Sequence, residues 1–351
     1  MTESNSNPLR VLSFGAGAIG TYIGGSLALS GNRVVFIERP ETATKITSLT
    51  LTIDGETKTI QSPVVTSSVE EALSHGPFDI ALFALKSFDT GTVLKNLERH
   101  KEQLPPILCL QNGVENENLI SEALGNNNVV PATITSAVGR LGLGQIVLDK
   151  FRGVGISGEH LLSQRLFAAF EQAGLNPSLI IPPAAMKWSK MLTNLVANAS
   201  SAILDMPPGD LFNHPDIFKF EIAQIREALK VMKAQNIPVV NLPGTPVKAF
   251  VFASSALPLW LARPVLAKAI GGGRGDKMPS FHIDLHSGRK QSEVVFLNGA
   301  VSRFGEKFSV PTPVNNFLTS TLTALVSGEI PISRYQKNPD KFIQDFVESQ
   351  I

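Results

Sequence analysis

Six consecutive residues, Gly15-Ala16-Gly17-Ala18-Ile19-Gly20, restrict this chain more than any other stretch. They match G-x-G-x-x-G, and their surroundings fit: residues 9–14 form an apolar run of strand length, and residues 19–30 follow with helical character. In a strand–turn–helix unit the first glycine permits the tight turn. The second lets backbone approach a pyrophosphate, and the third lets helix and strand pack closely, while the helix N-terminus favours the anion. A glycine-rich turn without a ligand is the competing reading. The flanking pattern favours a nucleotide site.

Residues 33–37, 78–85 and 107–110 are further short apolar strands, with a helical stretch near 89–103, and the alternation predicts an α/β domain around a parallel sheet. Residues 50–60 alternate around Asp54-Gly55 as a hairpin. The glycine-punctuated stretch 129–156 predicts extra strands at one sheet edge. Pro182-Pro183 interrupts the pattern, so the chain divides into domains over 8–182 and 184–351. The second reads as mostly helical, over 184–204, 216–235, 280–285, 293–304 and 312–327. The apolar stretch 249–270 is interrupted by Pro258, Arg263, Pro264 and Lys268. It falls short of the roughly 20 clean apolar residues of a membrane span, and predicts buried helices or a lid. Arg274-Gly275-Asp276 reads as a flexible turn.

A formal charge of +1 with 17% charged residues gives no general attraction to nucleic acid or to acidic membranes. The polar N-terminus carries no apolar signal core. Cys109 is the single cysteine and lies in an apolar run, so no internal disulfide forms. It reads as a core hydrophobe in a reducing, cytoplasmic setting.

Chemistry concentrates at Lys190, Asn194 and Asn198, spaced four apart within the largely apolar run 186–204. On one helix they make a stripe within roughly 80° of arc. Such a stripe faces a polar cleft or ligand, or else forms a helix seam whose amides bond to neighbouring backbone. Lys86 and Asn112 follow predicted strands, where open α/β sheets bind ligands; a surface lysine and an ordinary Asn-Gly turn are the alternatives. After the second strand, Glu38 suits a ribose hydroxyl and thus NAD, whereas Arg39 suits a 2′-phosphate and thus NADP. Glu293 opens an apolar helix, where the dipole alone favours a carboxylate. His282 and His286 stand four apart with Asp284 between them, but no third ligand lies at a diagnostic spacing, so no metal is expected.

Several motifs taken in order carry a resemblance: Gly15 to Gly20, Leu85-Lys86, Gln111-Asn112-Gly113, Lys190 with Asn194 and Asn198, Ser280 with Asp284, Glu293-Val294-Val295-Phe296-Leu297-Asn298-Gly299, and Val310-Pro311-Thr312-Pro313-Val314-Asn315. Over nearly its whole length the chain resembles the ketopantoate reductase (2-dehydropantoate 2-reductase) family. The resemblance implies a Rossmann-type domain joined to a helical domain related to those of 6-phosphogluconate dehydrogenases, with NADPH as cofactor and pantothenate biosynthesis as the setting. It implies Lys190 as proton donor, with Glu293 beside lysine and cofactor. It implies Asn194, Asn198 and Ser280 as substrate contacts, Asn112 near substrate and nicotinamide, and Arg39 and Lys86 on the cofactor side. A homodimer is left open.

The chain departs from the family pattern around the substrate. Pro208 stands where some members have an asparagine, one extra residue separates Asp284 from Glu293, Val295 replaces an acidic residue, and 241–277 is longer and more apolar. These departures bear on which 2-oxo acid is used. Two rivals remain: a same-fold reductase for another 2-oxo acid or an imine, of the opine type, and a non-catalytic dinucleotide sensor. A sensor has no need of the aligned lysine.

Overall fold

A computed structural model describes residues 7–125, 129–274 and 278–350, without the side chains of 269–274. Gly275 and Asp276, part of the expected turn, lie outside the described residues. The chain forms two compact units, Met1–Lys187 with Leu242–Thr245, and Trp188–Asn241 with Pro246–Ile351.

Among its described residues the first unit holds twelve strands: β1 (Arg10–Phe14), β2 (Arg33–Ile37), β3 (Ser48–Ile53), β4 (Glu56–Gln61), β5 (Val64–Thr66), β6 (Ile80–Phe83), β7 (Ile107–Cys109), β8 (Val129–Ile134), β9 (Ala137–Gly142), β10 (Gln145–Lys150), β11 (Val154–Ser157) and β12 (Pro177–Ile180). Eight form one sheet in the order β12-β11-β8-β7-β6-β1-β2-β5. Every pairing from β8 to β5 is parallel; β11 runs antiparallel to β8. β1 lies between β2 and β6, so the chain order reverses there. Such a reversal is where open α/β sheets take their ligands. Because β1, β2, β6 and β7 are parallel, the residues after all four emerge at one edge.

The expectation for 129–156 needs correction. β8 and β11 do extend the main sheet, but β9 and β10 join the β3–β4 hairpin in a separate four-stranded sheet, ordered β4-β3-β10-β9. The reason lies in the helix Ala18–Leu29, whose residues Gly20 to Leu27 are all buried. A helix apolar all round must be covered on more than one side. Its adjacent glycines record this: a Cβ at Gly24 would lie 2.7 Å from Phe36 of β2, and one at Gly25 2.8 Å from Leu51 of β3.

The second unit is helical, as expected, and its longest helix is Pro215–Ala234. A second correction concerns the run 184–204, which is two helices, Pro183–Leu195 and Asn198–Leu204. A third concerns 249–270: it forms Val247–Ser255 and the start of Leu259–Arg274, and these helices are not simply buried. Ala253, Ala262 and Leu266 face inward, whereas Phe252, Trp260, Leu261 and Val265 are exposed. Among the described residues no helix is long and apolar enough to cross a membrane.

Candidate active site

At the end of β1 the backbone turns through Gly15, whose φ of +95° suits glycine and whose N–H donates to the Ile37 carbonyl at 2.9 Å. Gly20 sits so close beneath this turn that a Cβ would fall 1.8 Å from the Gly15 carbonyl oxygen. Gly17 is different. A Cβ there meets nothing within 4 Å, and among the described residues no side chain caps the helix that follows, nor does its first turn hold an acidic residue. Bare backbone facing open space at an uncapped helix N-terminus is what a pyrophosphate requires.

Glu38 is already engaged: Oε1 accepts from the Ala16 N–H at 2.6 Å, and Oε2 from the Arg39 N–H at 3.2 Å. The carboxylate thus braces the glycine loop. Arg39 extends outward, 68% exposed, with only a 3.6 Å approach to Asp89. A pair this exposed contributes little and is easily exchanged for a stronger anion.

Lys86 follows β6 and Asn112 follows β7, and a buried amide network joins their loops. Gln111 donates to the Leu85 carbonyl at 3.1 Å and to the Thr90 hydroxyl at 2.8 Å. The Asn112 carbonyl accepts from Ser87 at 3.1 Å and from Asn116 at 2.7 Å. Beneath the network lies a residue that the sequence reading missed. Lys187 is buried, with Nζ 2.7 Å from Glu117 Oε1 and donating to the Gln111 and Ala132 carbonyls at 2.7 and 3.2 Å. Burial is the largest influence on its pKa and pushes it down, but the charge and hydrogen bond of Glu117, together with Cys109, hold it above the ordinary lysine value. Cys109 is buried next to this group, and burial drives its thiol pKa upward, as befits an inert core residue.

In the second unit Lys190 and Asn194 are half-buried on successive turns of Pro183–Leu195. Asn198 does not continue their stripe, because the helix breaks before it at Ala197, in the left-handed region with φ of 52°. Buried Glu221 sustains the break. One carboxylate oxygen accepts from the Ala197 N–H at 2.7 Å, and the other accepts from the Ser200 hydroxyl. Gln224 donates to the Leu195 carbonyl at 3.3 Å, closing the end of the first helix.

After the break Asn198 is buried, and its Oδ1 accepts from the Phe281 N–H at 3.1 Å. Its amide lies 3.4 Å from the Ser280 hydroxyl at the start of the helix Ser280–His286. The structure therefore brings Asn198 and Ser280 together, and the seam role of Asn198 is the one it displays. Glu293 is buried, 3% exposed, and opens a 3₁₀ turn, Glu293–Phe296, with Asn298–Lys307 as the following helix. This replaces the expected single helix. Leaving the Phe281 N–H without its partner should cost about 1–3 kcal/mol, so Asn198→Ala is expected to lower the melting temperature. Paired melting curves and kinetics then separate two roles: an unchanged melting temperature with a raised KM would make Asn198 a substrate contact instead.

The family model for ketopantoate reductase PanE/ApbA matches residues 11–158, and the model for its C-terminal domain matches 184–326. The chain belongs to the ketopantoate reductase family. The 2-dehydropantoate 2-reductase of Lactococcus lactis is 27% identical over 321 residues, spanning 89% of this chain and 96% of that one. A PanE/ApbA family ketopantoate reductase from Ralstonia eutropha JMP134 aligns with a TM-score of 0.76 at 26% identity, covering 92% of this chain and 99% of its own. D-mandelate dehydrogenase, solved with NADH and anilino(oxo)acetate, shares the fold at a TM-score of 0.73 and 22% identity, covering 91% of this chain and 99% of its own.

Membership in the ketopantoate reductase family makes the chain an oxidoreductase with a dinucleotide-binding fold. Two motifs behind the resemblance have a structural use here. Asn298 donates to the Asn315 side chain at 3.0 Å and to Gln224 at 3.1 Å. Glu227 accepts from the Val314 and Asn315 N–H groups at 2.9 and 3.0 Å and from the Asn315 amide at 2.7 Å. These bonds tie the Pro215–Ala234, Asn298–Lys307 and Pro313–Ser327 helices together through buried polar groups.

Proposed function

We propose that this chain reduces 2-dehydropantoate to pantoate with NADPH. The observation that carries this reading is half-buried Lys190 one helical turn from half-buried Asn194, in a stretch otherwise committed to core. Negative charge grows on the carbonyl oxygen of a 2-oxo acid during reduction, and a positioned ammonium both stabilises that oxygen and protonates it. Asn194 and Ser280 supply hydrogen bonds for the carboxylate or hydroxyl of the substrate, and Asn198 holds Ser280 in place from the neighbouring helix. Glu293 orients the lysine.

The first unit suits the cofactor. Bare backbone at Gly17 and an uncapped helix N-terminus fit a pyrophosphate, with Ala16, Ala18 and Ile19 lining the loop. Arg39 and Lys86 supply positive charge for the phosphates, and Arg39 decides for NADP because Glu38 is occupied by the loop it braces. When bound, the dihydronicotinamide supplies the hydride. The protein works in the cytoplasm, in keeping with its lone, buried thiol.

Consumption of NADPH with a panel of 2-oxo acids, run with and without amines, tests the reading. The highest kcat/KM should fall to 2-dehydropantoate. Turnover only with an amine present would make the enzyme an opine-type reductase, and binding without turnover would make it a sensor. Arg39→Ala should raise the KM for NADPH about 10–100-fold, as for a hydrogen bond to a charged group, while leaving NADH unaffected. Unchanged cofactor preference in that variant would remove Arg39 from phosphate recognition.

A further inference from the structure

The helix Asn198–Leu204 ends at Asp205, held in the left-handed region with φ of 50°. Its carboxylate meets two imidazoles from the helix Ser280–His286. His282 Nε2 lies 2.7 Å from Asp205 Oδ1 and His286 Nε2 lies 3.7 Å from it. The two rings stack at 4.0 Å between centroids, inclined by 28°. One ligand atom from each of the three residues falls within a common 4.8 Å. Asp284, the acid between the histidines in sequence, turns away and pairs with Arg289 at 3.2 Å.

We propose that Asp205, His282 and His286 form a site for a divalent transition metal, with zinc as the occupant, serving to brace the protein and separate from the reduction described above. Two imidazoles and a carboxylate are a ligand set that zinc accepts. Ligands about 2.0–2.1 Å from zinc in a tetrahedron are separated from each other by roughly 3.3 Å. The observed separations of 2.7 and 3.7 Å straddle that spacing, and metal binding requires the two stacked rings to turn until both Nε2 lone pairs meet at one ion in place of the His282–Asp205 hydrogen bond.

Two further features support the site. Gln336 donates to Asp205 Oδ2 at 2.9 Å, which orients the carboxylate and directs Oδ1 to the imidazoles. Metal ligands are characteristically steadied by such outer hydrogen bonds. The Gln336 segment is itself fixed, because the Lys337 N–H donates to the Leu204 carbonyl at 2.7 Å. The site is also reachable: the side chains of Asp205 and His286 are 23% and 33% exposed, which leaves an entry path and room for water as fourth ligand.

The location gives the ion a consequence. The same two helices are joined at their other ends by Asn198 with Ser280 and Phe281. A metal at Asp205 would clamp both ends of the pair and hold Ser280 in register.

Isothermal titration of zinc chloride into protein stripped with EDTA, alongside thermal melts and the visible absorption of added cobalt, provides the test. The expected result is saturable binding of one equivalent, a raised melting temperature and the intense visible bands of low-coordinate cobalt. Asp205→Asn keeps the shape of the carboxylate, and His286→Ala removes an exposed ligand, so both should fold; each should weaken binding at least ~10-fold and abolish the cobalt bands. Absence of saturable binding by zinc or cobalt, or binding unaltered in these two variants, would overturn the proposal. Both variants melting like the metal-free parent confirms that any loss is of ligands and not of fold; a variant that melts far lower is replaced in the titration by His282→Gln.

Discussion

Lys190→Ala is expected to lower turnover by at least ~10²-fold on the best 2-oxo acid, while the affinity for NADPH stays near that of the parent enzyme. The lysine acts on charge that develops at the carbonyl oxygen, so its removal raises the barrier without removing a dinucleotide contact. Steady-state rates and cofactor titration on the same preparation check both parts. A variant with near-normal turnover would take the lysine out of the mechanism. One that loses NADPH binding equally would reassign it to the cofactor. Because Lys190 is only half-buried, its truncation should leave the fold intact, and the rate change can be read without a stability correction.

Lys187→Met should have the largest effect on stability, about 3–5 kcal/mol, because it leaves Glu117 as a buried charge without its counter-ion. Natural proteins have a total stability of about 5–15 kcal/mol, so the loss would show as a clear fall in urea midpoint. The pKa of Lys187 is raised in the fold, so its contribution is complete below the ordinary lysine pKa and is lost only as pH rises through the elevated folded value. The deficit should therefore be constant through neutral pH. Adding Glu117→Leu should recover much of it, since two apolar groups demand no pairing. A single variant within about 1 kcal/mol of the parent, or a double variant worse than the single, would show that the ion pair is not what holds this region.

The parts legible in the sequence were those whose cause is local. The glycine loop, the strands at 33–37 and 107–110, and the Asp54-Gly55 hairpin each carry their instruction within a few residues, and the structure places them as read. The break at Ala197 was illegible because nothing near it forbids a helix; the instruction sits in Glu221 and Gln224, on another helix. Lys187 was hidden for a similar reason. Beside Lys190 it reads as one more surface charge, and only its approach to Glu117 shows otherwise. The histidine pair was visible, but its carboxylate partner comes from 77 positions away instead of from Asp284 between them. The family motifs gather residues of different use. They could not tell residues that face substrate from residues such as Asn298 and Asn315 that bind each other.

The two tryptophans differ in a way that gives the protein its own optical reporters. Trp188 is buried edge-on against Phe304, with centroids 5.3 Å apart, and lies two residues before Lys190 on the same helix; Trp260 projects into solvent, 74% exposed. A buried indole emits at shorter wavelength and is shielded from dissolved iodide, whereas an exposed one is quenched. With iodide present the remaining fluorescence therefore comes chiefly from beside the proposed proton donor, and substrate or inhibitor arrival there can be followed without any added label.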